Sequence, residues 1–107
     1  CNTDSLGEQI QREFPNTFVV KSLNTINCEV IVHPELLPER SDVFVSGNSQ
    51  DAKATATKLI KENFGWKSVI DLGDITTSRG VEMYVVLWRC FRKATSSYHF
   101  NIKLVRS

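Results

Sequence analysis

Two short apolar runs, Val43 to Val45 in "DVFVSGN" and Val69 to Leu72 in "SVIDLGD", enclose a segment with a clear helical signature. No other feature constrains the fold as tightly. Each run is near-continuously apolar and is stopped by a glycine, Gly47 or Gly73, as expected of strands covered on both faces. Between them, "SQDAKATATKLIKENF" opens on Asn48 or Ser49 as a cap and carries Asp51 in its first turn, where a negative charge suits the helix dipole. Ala52, Ala56, Leu59, Ile60 and Phe64 mark the expected buried face, and Lys53, Lys58, Lys61 and Glu62 the wet one. Gly65 is a natural left-handed stop. Strand, helix and strand within about 30 residues make a βαβ unit, so the two strands should be parallel and the crossover right-handed.

The flanks add to this unit. "SLGEQIQREF", residues 5–14, predicts a short helix with Ser5 and Glu8 at capping-box spacing and Leu6, Ile10 and Phe14 as an apolar stripe. Pro15-Asn16 ends it, and Thr17 to Leu23 reads as another strand through Phe18, Val19 and Val20. Residues 24–42 are irregular or weakly helical, punctuated by Pro34 and Pro38, and a connection of that length is usually functional or packs as a lid. A second long helix is expected from Arg79 to Lys93. Val81, Tyr84, Val85, Trp88 and Phe91 share one broad face, yet Val86, Leu87 and Cys90 are apolar as well, which points to burial on more than one side. The tail alternates Phe100, Ile102 and Leu104 with Asn101, Lys103 and Val105, as an edge strand would. The fold class is therefore α/β: a partial Rossmann-like, three-layer fold with a short, mostly parallel sheet and a C-terminal helix, forming one domain over residues 1–107.

In such sheets ligands bind at the carboxyl ends of parallel strands. The first strand ends in Lys21-Ser22-Leu23-Asn24-Thr25, which puts hydrogen-bonding groups at such a position. The alternative is that Asn24 and Thr25 only terminate the strand by bonding local backbone.

Composition narrows the function classes. Thirteen basic residues against 12 acidic leave a net charge of +1, with no polybasic footprint for nucleic acid. The apolar stretch around Tyr84 to Trp88 is too short to span a bilayer, and residues 1–13 hold no signal-peptide core. Cys1, Cys28 and Cys90 are odd in number, without C-x-x-C spacing, so a disulfide framework is not expected and a reducing cytoplasm is the natural compartment. Cys28, His33 and Cys90 are too few and too scattered for structural zinc, and Cys28 reads better as a small buried hydrophobe. Asp71 and Asp74 form either a carboxylate pair or a plain strand exit with a solvated Asp74. His33 and His99 read as surface or packing residues, Trp66 and Trp88 as core and interface. No catalytic acid–base pair stands out.

Three blocks, "NTDSLGEQIQREFPNTFVVKSLNTINCEVIVHPEL", "VFVSGNSQDAKATATKLIKENFGWKSVIDLGDITTSRGVEMYVVLWRCF" and "FNIKLVR", resemble in order and spacing the NADP oxidoreductases that use the deazaflavin coenzyme F-420. The reductase domains of the six-transmembrane ferric reductases look like more distant cousins. The resemblance implies the C-terminal half of a Rossmann-type enzyme. Gly7, Gly47, Gly65, Gly73 and Gly80 do not form the glycine-rich phosphate turn, and Cys1-Asn2-Thr3 aligns with a point about halfway along the dinucleotide domain. It further implies hydride transfer between NADP(H) and a deazaflavin- or flavin-like acceptor, with Lys21, Asn24 and Thr25 as cofactor-binding residues and no proton-transfer residue required. The chain alone is then expected to be inactive. Ser22-Leu23 stands where the family often has Ala-Phe, so a leucine replaces an aromatic expected beside the ring. The resemblance also implies a homodimer, which fits the two-sided second helix, with Leu87 and Cys90 near the contact. The alternative function is a non-catalytic interaction or oligomerisation module.

Overall fold

A computed structural model describes residues 3–107; Cys1 lies outside the described residues. Its centre is a three-stranded sheet ordered β1 (Val20–Ser22), β2 (Val43–Gly47) and β3 (Val69–Gly73). The βαβ unit forms as the sequence predicts. β2 and β3 are parallel, with Val43 opposite Val69 and Phe44 opposite Ile70, and a register shift after Val45 brings Ser46 opposite Gly73. Helix α3 (Gln50–Phe64) joins them. Ser49 caps it by accepting from the Ala52 amide at 3.1 Å, and Gly65 closes it at φ 81°, a left-handed conformation that glycine adopts without penalty.

β1 runs antiparallel to β2, with Val20 opposite Gly47 and Ser22 opposite Val45. The α/β class, the βαβ unit and the C-terminal helix stand, but one of the two strand pairings is antiparallel. The connection explains this. Its only α-helix, α2 (Cys28–Val32), has five residues and spans about 7.5 Å, well short of the roughly 17 Å length of a five-residue strand such as β2. The chain therefore re-enters the sheet near the end it left.

The main core lies between the sheet and the α2/α3 layer, from Ile26, Val30, Val43, Val45, Ile60 and Trp66. The Trp66 indole donates to the Ile31 carbonyl at 2.9 Å. α4 (Ser78–Thr95) takes the other side, entered through a 3-10 turn at Ile75–Thr77, with Ile75 and Val81 buried.

Several expectations are corrected. Lys53, placed on the wet face of α3, is only 3% exposed, whereas Leu59 is exposed because Ile60 takes the inward position. Cys28 is exposed at the start of α2, and Val30 supplies the buried contact. Phe18 precedes the strand and is 73% exposed. The stripe Leu6 and Ile10 of α1 (Leu6–Glu13), with Phe14 at its C-cap, is exposed, because α1 packs through Gly7 and Glu8 instead. A Cβ on Gly7 would lie 2.8 Å from the Ser78 hydroxyl oxygen, so the approach to α4 requires glycine. The tail forms no strand. Asp42 donates its amide to the Ile102 carbonyl at 3.1 Å and accepts the Leu104 amide on its own carboxylate at 2.6 Å, so a side chain replaces the ladder. Phe100 folds onto Trp88 and Phe91 of α4, with ring centroids 5.2 and 5.9 Å apart.

Candidate functional site

The end of β1 meets the first turns of α4. Lys21, opposite Ser46 in the sheet, sends its ammonium to within 3.4 Å of the Glu82 carboxylate. Glu82 also accepts the Leu6 and Gly7 amides at 2.7 and 3.0 Å, so one carboxylate holds the start of α1 and the lysine together. Burial pushes the Glu82 carboxyl up, but those two amides and Lys21 outweigh it and hold the group below its ordinary range. Ser22 donates to the Phe44 carbonyl at 2.7 Å.

Leu23 then turns the chain at φ 66°. A non-glycine residue in this left-handed region carries strain, and such strain gathers at functional positions. The turn brings Asn24 to α4, where its amide nitrogen donates to the Val81 carbonyl at 2.9 Å. Thr25 follows, 3% exposed. Lys21 and Asn24 thus reach adjacent residues of α4, Glu82 and Val81, while Thr25 lines a small cavity beneath them. Because β1 is antiparallel, Lys21 lies beside the carboxyl end of β2, whereas Asn24 and Thr25 lie toward its amino end. The expectation that the whole Lys21–Thr25 segment sits at the parallel carboxyl ends is corrected accordingly. Leu23 packs against the core cluster, so its side chain serves packing here.

The carboxyl ends of β2 and β3 hold a second polar cluster that periodicity did not reveal. Lys53 donates to the Asp71 carboxylate at 2.8 Å and to the Gly73 carbonyl at 3.0 Å. The Lys53 bond is the main cause that lowers the Asp71 carboxyl. Asp74 caps the Thr76 amide at 2.9 Å and is held low by its bonds to Thr76, so Asp71 and Asp74 have separate structural jobs. Thr77 donates to the fully buried Ser46 hydroxyl at 2.7 Å. The only sequence signal for this cluster was the pair of glycine-stopped strands, since the meeting of Lys53 with Asp71 depends on how β3 pairs with β2.

The remaining candidates sit at the surface. His33 pairs with Glu35 and His99 with Glu29, each at 3.1 Å and exposed. Among the described residues there is no group of three or more His, Cys, Asp or Glu suited to a metal ion. No helix among them is long and apolar enough to cross a membrane.

The geometry allows a partial test for a dinucleotide. At the turn from β2 into α3, Asn48 spends its side-chain oxygen on the Ile75 amide at 3.0 Å, Ser49 caps the helix, and Asp51 adds a negative charge. A Cβ on Gly47 would meet the Val19 carbonyl at 2.8 Å, so that glycine serves strand packing. This turn does not fit a pyrophosphate. The end of β1 carries two polar groups beside α4: the Lys21 ammonium, paired with Glu82, and the Asn24 amide oxygen, which accepts no bond among the described residues.

A βαβ unit, an added antiparallel strand and a C-terminal helix crossing a strained strand end define a Rossmann-like class of α/β unit. No protein-family model and no curated protein matches the chain. Solved structures do. The crystal structure of a putative F-420-dependent NADP-reductase from Arthrobacter sp. FB24 is 50% identical with a TM-score of 0.94, over 97% of this chain and 47% of that one. The resemblance to the F-420-dependent NADP reductases read from the sequence therefore holds over almost the whole chain, which spans about half the length of that relative.

Proposed function

We propose that this chain is part of an NADP(H)-dependent oxidoreductase that moves a hydride between NADP(H) and a deazaflavin- or flavin-like acceptor. The observation that carries the reading is the 50% identity and 0.94 TM-score to a protein described as an F-420-dependent NADP-reductase. NADP(H), when bound, supplies the hydride, and the protein's part is to position the rings and exclude water. In this reading Lys21, held by Glu82, donates a hydrogen bond toward the cofactor, the free oxygen of Asn24 orients a carboxamide or ring edge, and Thr25 supports that contact from the next position. The pyrophosphate is held by residues outside this chain, because the β2–α3 turn does not fit it. The chain alone is then inactive, and a cytoplasmic location accompanies the function.

A chimera tests this. Residues 3–107 replace the matched part of the Arthrobacter protein, and F-420-linked reduction of NADP is followed spectrophotometrically. Turnover by the chimera, and none by the 107-residue chain, is the expected result. A folded, dinucleotide-binding chimera without turnover, made from an active parent, would overturn the reading. A second reading, a non-catalytic association module, is favoured by one observation: Met83, Val86, Leu87 and Cys90 lie exposed along α4. The isolated chain is expected to bind dinucleotide weakly or not at all, and micromolar NADPH binding by it would overturn that expectation and count against the module.

A further inference from the structure

β1 is an edge strand without the usual protection. Val43 donates its amide to the Ser68 carbonyl at 3.1 Å, so its backbone groups face β3. Successive residues of a strand turn those groups to alternate sides, and Phe44 and Ser46 therefore face β1. Ser46 stands opposite Lys21, which makes the two a hydrogen-bonded pair. The backbone N–H and C=O groups of Val20 and Ser22 then point away from β2. With β1 first in the strand order, these four groups have no partner among the described residues. Such a row is a template for another strand, and proteins commonly blunt it with a charge, a proline or a covering helix. Here the one charge in β1, on Lys21, is turned to Glu82.

The segment that leads into this edge is apolar and bare. Ile10 and Phe14 are exposed, because α1 meets α4 through polar contacts, Ser5 with Ser78 and Glu8 with Arg79. Gln11 ties the end of α1 to the approach of β1. It donates to the Phe14 and Thr17 carbonyls at 3.1 and 2.7 Å and accepts the Val19 amide at 3.1 Å. Phe18, two residues before Val20, is the most exposed aromatic ring of this segment.

We infer that the open edge of β1, with Ile10, Phe14 and Phe18 beside it in the chain, is the seam for the dinucleotide-binding half of the enzyme, one of whose strands adds to β1. Two observations select this occupant. The matched stretch is 47% of the Arthrobacter chain, so more than half of that protein has no counterpart here. β1 is also the strand that ends in Lys21 and Asn24, so a half docked on its edge brings its own cofactor contacts alongside them. The choice of partner rests on the function proposed above, whereas the test reads packing rather than turnover.

Amide hydrogen exchange is compared between the 107-residue chain and the chimera in which residues 3–107 replace the matched part of the Arthrobacter protein. In the chain alone, Lys21 should exchange slowly, as a member of the β1–β2 ladder, and Val20 and Ser22 fast. In the chimera all three should be slow, with Val20 and Ser22 retarded by at least about tenfold. Phe18→Asp should leave the Tm of the chain unchanged and lower that of the chimera by about 5 °C or more. Fast exchange at Val20 and Ser22 in a folded chimera overturns the seam. So does an equal loss of Tm in both proteins. Slow exchange at both positions in the chain alone, lost on dilution, overturns it as well, since a second copy would then hold the edge. A chimera protected at Val20 and Ser22 but without turnover supports the seam and counts against hydride transfer; turnover with both amides unprotected does the reverse.

Discussion

Lys53 shows what a single residue can hide. Its place in the helical pattern of α3 marks it as solvated, and the neighbouring lysines at 58 and 61 are indeed exposed. Lys53 alone stands over β3, where its ammonium meets Asp71 and the Gly73 carbonyl. Lys53→Met keeps most of the buried stem and removes both polar contacts. The Asp71 side chain is 42% exposed and rehydrates, so the expected cost is about 1–2 kcal/mol in urea unfolding, against no more than ~0.5 for Lys58→Met. Equal costs would mean that the pair contributes nothing. Asn24 poses the opposite question, because its sequence position does signal a site. Asn24→Ala loses one bond to Val81 and should cost ~1 kcal/mol of stability. In an active chimera it should lower kcat well beyond that stability change if the amide oxygen orients a ring. Unchanged kcat retires the assignment and leaves Asn24 as a strand terminator.

At the scale of elements, local signals were legible where neighbouring residues decide the structure. Ser49, Asp51 and Gly65 bound α3 because caps and dipoles act within one turn. The same local reading failed for the faces of α1, which depend on what lies opposite. Ser5 does cap the Glu8 amide, at 3.1 Å. The Glu8 carboxylate, however, turns away from the cap amide to Arg79, which donates to it at 2.8 and 2.6 Å, and Ser5 meets Ser78 at 2.6 Å. The α1–α4 seam is therefore polar and the apolar stripe of α1 faces outward. This gives a pH signature. Arg79 holds Glu8 below its ordinary pKa, and Glu82 is held low as well. A carboxyl with a depressed folded-state pKa contributes its stability above the unfolded value, and that stability is lost as pH falls through the folded one. Urea unfolding should be nearly flat from about pH 6 to 8 and weaken progressively below about pH 4.5. Glu8→Gln should be less stable near neutrality and show a shallower acid decline. An unchanged acid slope would show that the pair does not titrate with folding.

The whole molecule leaves α4 half dressed. Its inner side carries Val81, and the returning tail covers Trp88 and Phe91, with Arg92 lying 4.0 Å over the Tyr98 ring. The tail could not be placed from alternation alone, because aromatic stacking onto α4 and the grip of Asp42 prevail over strand pairing. What remains exposed is Met83, Val86, Leu87 and Cys90, spaced i, i+3, i+4 and i+7, which is one continuous helical stripe. We propose that a second copy of the chain covers it, the two α4 helices meeting about a two-fold axis, where the same stripe is presented from both sides. Burying a side chain such as Leu87 is worth about 1.5–3 kcal/mol, and a symmetric contact gains it twice. Sedimentation at tens of micromolar should therefore give a dimer, and Leu87→Asp should give a monomer. The exposed stripe of α1 serves as the control: Ile10→Asp should leave the dimer intact. A monomeric unmodified chain overturns the proposal, and a dimer that survives Leu87→Asp but yields to Ile10→Asp moves the contact from α4 to α1.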